Sequence, residues 1–467
     1  MASAAEQLAS NLNFSAFAKA TELQKRIWFT LAALVAYRLG TFVPIPGVDP
    51  AAFAAAFNSQ QGGLLGVFNV FSGGAVSRMA IFALNVMPYI SASIIVQLMA
   101  TAIPALERLK KEGEAGRKRI NQYTRMLTLA LALFQSAGIA ATLVAQGAAI
   151  DPGAMFYAST IITLTGGVML LMWVGEQITA RGIGNGVSLI IFTGIVAELP
   201  QAIFQTLSLV SSNSIDPLGF ILILAAVVGV TMFIVFIERS QRRLVIQYPK
   251  RQVGNRMFMG ENSFLPLKIN TAGVIPPIFA SSLLLLPATL QGVTGNPELL
   301  PAWLGWLPDA VGMLQRGQPL HLVLFGAGII FFSFFYTSIV FNPEETADNL
   351  RKYGGFLPGI RPGKKTAEYL DYVLTRLTVI GSVYIAFVCL MPEFLTSAYN
   401  INLLLGGTSV LIVVSVTIDT TTQVQSHLLA HQYEGLLKKT RLRRGRNEPD
   451  SVRSAGRRQR NPSEKIG

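Results

Sequence analysis

Hydrophobic residues fall into long unbroken runs along this chain, and most of the runs have bilayer length. Ten are apolar enough and, at about 20 residues each, long enough to cross a hydrocarbon core: 27–43, 78–103, 123–146, 155–174, 185–207, 218–237, 271–291, 320–341, 375–392 and 402–423. The first is short and carries Arg38, expected near an interface where its long stem can snorkel. The fifth contains Glu198 and Pro200. Pro88 in the second run, and Pro276, Pro277 and Pro287 in the seventh, predict kinks in those two spans. Between the first two runs, Gly62–Gly74 is apolar but only 13 residues long and carries five glycines. That is too short to span, and it points to irregular backbone held at membrane depth against a protein-lined cavity. Carriers and channels need such an element.

Composition agrees with a polytopic membrane protein. Of 467 residues 51% are hydrophobic and only 13% charged, with mean hydropathy +0.47. Of the 38 Lys and Arg, 35 lie in the N-terminal segment, the even-numbered inter-span loops or the C-terminal tail. The positive-inside rule therefore places both termini in the cytoplasm. The start of the chain lacks the basic cluster and compact apolar core of a cleaved signal peptide. The single cysteine, Cys389, excludes a disulfide framework within the chain.

Candidate chemistry is sparse. There is no Walker loop, no metal-ligand spacing and no nucleophile–base pair, so an enzyme finds little support. Ion-coupled carriers place ionisable groups near the midplane; here Arg38, Glu176, Glu198, Glu238, Asp419, His321 and His427 are read towards span ends. Ten spans divide into five and five, and an odd number per half inverts the second half, a plan common to transporters and channels. No internal sequence identity supports the repeat. The loops at 238–270 and 342–376 are too long for connectors. The first holds an LVIQY run patterned as a strand with a turn at Gly254–Asn255; the second reads as helix, Gly/Pro turn, helix. A solvated positive face accounts for their charge. An acidic lipid surface, RNA or a docking protein would account for their length as well. A protein-conducting channel and an ion-coupled small-solute carrier both remain open at this point.

Long motifs in order along the chain decide between them. They include RLGTFVPIPGVD at 38–49, FNVFSGGAVSR at 68–78, MPYISASIIVQL at 87–98, GEQITARGIGNGVSLIIFTGIVA at 175–197, ERSQRR at 238–243, LPLKINTAGVIPPIFASSLL at 265–284, FNPEETADNL at 341–350 and PGIRPG at 358–363. From about residue 20 to about 440 the chain closely resembles the SecY family, the channel subunits of the bacterial Sec protein translocase.

The resemblance implies an all-α polytopic membrane protein, with ten transmembrane helices in two inverted five-helix halves around an hourglass pore closed by a plug helix. The N-terminal half would be 27–207 and the C-terminal half 208–440, flanked by a cytoplasmic segment at 1–26 and a basic tail at 441–467 expected to be disordered. Unfolded secretory polypeptides would thread the pore, and membrane segments would leave sideways into lipid. By position, the pore ring would be Val86, Ile90, Val187, Ile191, Ile278 and Ile412. Aliphatic side chains make no fixed hydrogen-bond demand, so they can gasket any passing chain and dewet when empty. Val at two positions where many relatives carry Ile implies a slightly wider gasket. The plug would comprise Gly63, Leu64, Leu65, Phe68, Asn69, Phe71, Ser72, Gly73 and Gly74, hinged at Gly73–Gly74 onto the second span. Ser91 and Gln97 would face Asn270, Ser281, Ser282 and Leu286 across a lateral gate. Arg361, with Arg242, Arg243, Lys250, Arg251 and Arg256, would dock partners. The resemblance implies SecE and SecG as fellow subunits, and SecA or the ribosome as driving partners. It further implies contact with SecDF, YidC, signal peptides, nascent chains and anionic lipids, no cofactor, and residence in the bacterial cytoplasmic membrane.

Overall fold

The computed structural model describes residues 21–49, 52–53, 57, 69–211, 217–249, 251–253, 256–258, 262–289, 312–314, 318–399 and 406–446. Gly63, Leu64, Leu65, Phe68 and Lys250 of the predicted sites lie outside them. The described chain is helical: α1 (Thr21–Gly40), α2 (Met87–Ala102), α3 (Pro104–Lys111), α4 (Glu114–Ala145), α5 (Ala154–Arg181), α6 (Gly186–Ser211), α7 (Pro217–Arg239), α8 (Ile275–Thr289), α9 (Pro319–Val340), α10 (Pro343–Lys352), α11 (Lys364–Tyr399) and α12 (Gly407–Arg446). A helix covers most of each of the ten predicted runs. By length and composition, five helices among the described residues suffice to cross a membrane, or six if α2 and α3, bent by 103° at Ile103, count as one span.

Three departures from the sequence pattern have plain causes. The second run does not begin its helix at 78. Residues 81–86 make successive turns, with Asn85 at φ 49°, and α2 starts at Met87. Pro88 is therefore a first-turn proline, where its missing N–H costs nothing, and not a kink. Pro276 and Pro277 open α8 in the same way. The last helix runs on to Arg446, so the first residues of the tail are helical. The fold also departs from the all-α expectation, in the way the LVIQY pattern predicts: the loop at 238–270 contains β1 (Gln241–Gln247), β2 (Arg251–Val253), β3 (Arg256–Phe258) and β4 (Asn262–Lys268), while the expected turn at Gly254–Asn255 lies outside the described residues. Strand β1 pairs antiparallel with β4, Leu244 opposite Leu265, and β2 pairs with β3, Val253 opposite Arg256.

Within the helices, hydroxyls fold back on their own backbone. Thr128 donates to Thr124 O at 2.7 Å, Ser136 to Ala132 O at 2.6 Å and Ser333 to Ile329 O at 2.7 Å. Such i−4 bonds satisfy a hydroxyl where water is absent. Helix α10, in contrast, is built for water. Asn342 accepts from the N–H groups of Glu344 and Glu345, Pro343 sits in the first turn, and Arg351 and Lys352 close the last. A cap of this kind contributes about 1 kcal/mol.

Helices α2, α4, α5 and α6 pack in succession, with α1 against α5 and α6; α8, α9, α11 and α12 pack likewise, with α7 against α12. The two groups meet chiefly where α2 touches α8 and α6 touches α12, with lighter contacts at α4–α8, α6–α7 and α1–α12. One continuous apolar core runs through both.

Candidate functional site

The six aliphatic residues expected to form a ring lie on four helices. Val86 caps α2 and Ile90 is one turn on; Val187 and Ile191 are spaced the same way on α6; Ile278 lies on α8 and Ile412 on α12. Val86, Ile90, Ile191, Ile278 and Ile412 belong to one buried cluster, none more than 7% exposed, and half-buried Val187 packs against it. All six side chains lack hydrogen-bond demands and come from helices of both packing groups.

Residues 69–74 adjoin this cluster. Residues 69–72 are helical and Phe71, Ser72, Gly73 and Gly74 are buried. Three successive carbonyls of the segment are each held by side-chain donors. Asn85 Nδ2 donates to Phe71 O at 2.6 Å, and Tyr37 donates to Ser72 O at 3.2 Å. Arg78 Nη2 donates to Gly73 O at 2.8 Å, and Arg38 donates to the same oxygen. Arg78 Nε also donates to Thr41 O at 3.3 Å, and both guanidiniums lie over the Phe42 ring, 4.3 Å from its centroid for Arg78. Asn69 Oδ1 accepts from the Ser77 amide at 2.8 Å. Charge-assisted hydrogen bonds contribute about 1.5–3 kcal/mol each.

Two expectations change here. Arg38 does not snorkel but turns inward. Glu198, read towards a span end, sits midway along α6, is 5% exposed and interacts electrostatically with Arg78 and Arg38. Gly73 and Gly74 do have positive φ, 66° and 79°, but they are tightly packed. A Cβ on Gly73 would stand 2.6 Å from Arg38 Nη1 and 2.9 Å from Gly194 Cα; one on Gly74 would meet Glu198 Oε1 and Arg78 Nη2. On α6, a Cβ on Gly194 would meet the carbonyl of Phe71.

The expected gate residues divide. Helices α2 and α8 are in contact. Ser282 Oγ reaches Met87 Sδ across them at 3.6 Å, and Ser91 and Ser282 are both buried. Met87 carries no sequence signal that would have singled it out. Gln97 donates to Ser93 on its own helix at 3.0 Å, and Ser281 to Ile278 O on its own. Asn270 faces another direction: its Nδ2 donates to Glu238 Oε1 on α7 at 2.6 Å and to Gly273 O at 3.1 Å, and its Oδ1 accepts from Gly273 N. Its amide is thus committed among residues outside α2. Leu286 lies in α8.

On the basic side, the two long loops fold into one body. Gln247 and Phe356 exchange backbone hydrogen bonds of 2.9 and 3.0 Å. Leu244 and Leu267 of the hairpin pack with Leu357 and with Leu370, Val373, Leu374 and Leu377 of α11 in a separate apolar core. Arg242, Arg243 and Arg361 are exposed around it. The turn carrying Arg361 is fixed by Gly359 and Gly363, both at positive φ, and by Thr366 donating to Arg361 O at 3.0 Å. Arg251 and Arg256 lie on β2 and β3.

The whole chain is similar to known proteins. The SecY family model matches residues 80–421. The protein translocase subunit SecY of Escherichia coli (strain K12) is 52% identical over 426 residues, covering 90% of this chain and 95% of that one. Among solved structures, a protein-conducting channel matches with TM-score 0.62 at 18% identity, over 88% of this chain and 93% of that chain. Sec61 in the canine ribosome–channel complex from the endoplasmic reticulum matches over the same shares with TM-score 0.59, also at 18% identity. These two likenesses concern the fold.

Proposed function

The chain belongs to the SecY family, and from that premise we propose that it is the channel subunit of a protein translocase, a conduit for unfolded polypeptides and not an enzyme. The observation that carries this reading is the 52% identity to a translocase subunit over 90% of the chain. The geometry fits it. In this reading six aliphatic side chains on four helices drawn from both packing groups, all within or against the common apolar core, form the narrowest ring of a pore between two halves. Such a ring closes around chains of any sequence and stays dry when empty.

In this reading ten helices cross the bacterial cytoplasmic membrane in two inverted halves, with both termini inside. Residues 69–74 form the base of the plug. The α2–α8 contact is the seam through which membrane segments pass into lipid; Met87–Ser282 is its polar contact, worth roughly 0.6–2 kcal/mol, weak enough to yield to an apolar signal helix. SecE and SecG complete the complex. SecA or the ribosome docks on the joined basic loops, where a fixed Arg361 can grip a carboxylate or phosphate bidentately; the ribosome–channel complex of Sec61 supports the ribosome as a partner. A buried intramembrane carboxylate such as Glu198 is what a solute carrier would use, but here it neighbours two arginines that hold backbone carbonyls.

Reconstitution tests the proposal. The chain, co-purified with its small membrane subunits and placed in vesicles with SecA, ATP and a secretory precursor, is expected to render the precursor protease-resistant. Failure under conditions in which the Escherichia coli complex succeeds would contradict it.

A further inference from the structure

The polar contacts of residues 71–74 all come from one side. Tyr37 and Arg38 belong to α1, Arg78 and Asn85 to the turns before α2, and Gly194 and Glu198 to α6. Among the described residues, no hydrogen bond from α7–α12 reaches this segment. The two helix groups touch at α2–α8 and α6–α12, and more lightly at α4–α8, α6–α7 and α1–α12. Moving the groups apart therefore strains none of the bonds that hold 71–74.

The charges are matched to that task. Arg38 and Arg78 converge on one carbonyl and repel each other. Glu198, 5% exposed, supplies the opposing charge, and Gly74 leaves room for its carboxylate beside Arg78. On residues 71–74 the donors contact backbone oxygens only, so they fix position and are indifferent to the side chains of that segment. Asn85 Oδ1 is buried and accepts no hydrogen bond among the described residues.

We propose that Arg38, Arg78 and Glu198 are positioning residues that hold residues 71–74 in place as a stationary base, both at rest and during translocation, so that Gly73–Gly74 is an anchor and not a hinge. This rests on the channel reading above.

The test uses the complete complex in vesicles with a Cys389→Ser background. Tyr37→Cys with Ser72→Cys, bridged by a short bifunctional thiol reagent, is expected to translocate within about twofold of either single-cysteine channel treated alike. Loss of translocation confined to the bridged pair overturns the anchor. A second readout does not depend on that pair folding. Removing one charge-assisted contact by Arg78→Met should raise resting ion flux about tenfold, and Arg78→Lys should bring it back to within about threefold of the parent. A Met variant as tight as the parent, or a Lys variant as leaky as Met, overturns the role of the charge. Should the unmodified complex fail to translocate, the channel reading falls, whereas resting flux still reports on the clasp.

Discussion

Two segments that link membrane spans, 69–86 and 241–268, solve the same problem in opposite ways. Each needs partners for backbone groups outside a helix. Residues 69–86 are buried and largely apolar, and their carbonyls are met by buried or half-buried Asn85, Tyr37, Arg38 and Arg78. Residues 241–268 satisfy their backbone through a strand ladder and cover a small leucine core, which leaves Arg242 and Arg243 exposed. The difference follows from solvent. Where water is excluded, an unsatisfied carbonyl costs several kcal/mol, so charged side chains serve the chain's own backbone. Where water is present, the same residue types are free for partners.

The contrast can be broken at either segment. Gly74→Val puts a β-branched residue at φ 79°, costing about 1–2 kcal/mol, and drives it into Arg78 and Glu198. Together with a lost charge-assisted bond of about 1.5–3 kcal/mol, this should raise the resting ion flux of vesicles roughly a hundredfold; an unchanged flux would mean that the close packing carries no seal. Leu370→Ala, at a fully buried site of the loop core, should cost about 2–4 kcal/mol. It should expose the 241–268 hairpin to limited proteolysis while resting flux stays normal; resistance equal to the parent would separate the two loops again. Arg361→Glu should reduce SecA-driven translocation about tenfold with assembly of the complex intact, and normal translocation would remove Arg361 from the docking surface. The smallest effect is expected from Val86→Ile with Val187→Ile, which should narrow the ring and lower ion flux less than about threefold. Equal flux before and after would dispose of the wider-gasket idea.

Helix positions are legible because bilayer thickness imposes run length, whereas the assignment of six residues to a ring rests on the family resemblance alone, since aliphatic residues in spans look alike. Other features depended on contacts that composition does not encode. Asn85 at positive φ ends the turns before α2, which makes Pro88 a helix start. Glu198 seemed peripheral because runs were counted by hydropathy, whereas its partners, Arg38 and Arg78, are 160 and 120 positions away in the chain. Asn270 carried the right chemistry for a gate, but its amide is used by Glu238 and Gly273. The union of the two long loops rests on a shared leucine core and on the β-bridge of Gln247 with Phe356, neither of which a local pattern signals.

Thiol cross-linking of a precursor arrested midway bears hardest on the proposed route. With one cysteine placed in the translocating chain, channels carrying Ile191→Cys or Ile278→Cys should form disulfides with it, and Val383→Cys, 58% exposed on the outer face of α11, should not. Cross-links at Val383 with none at Ile191 and Ile278 would mean that polypeptide does not pass through the aliphatic ring.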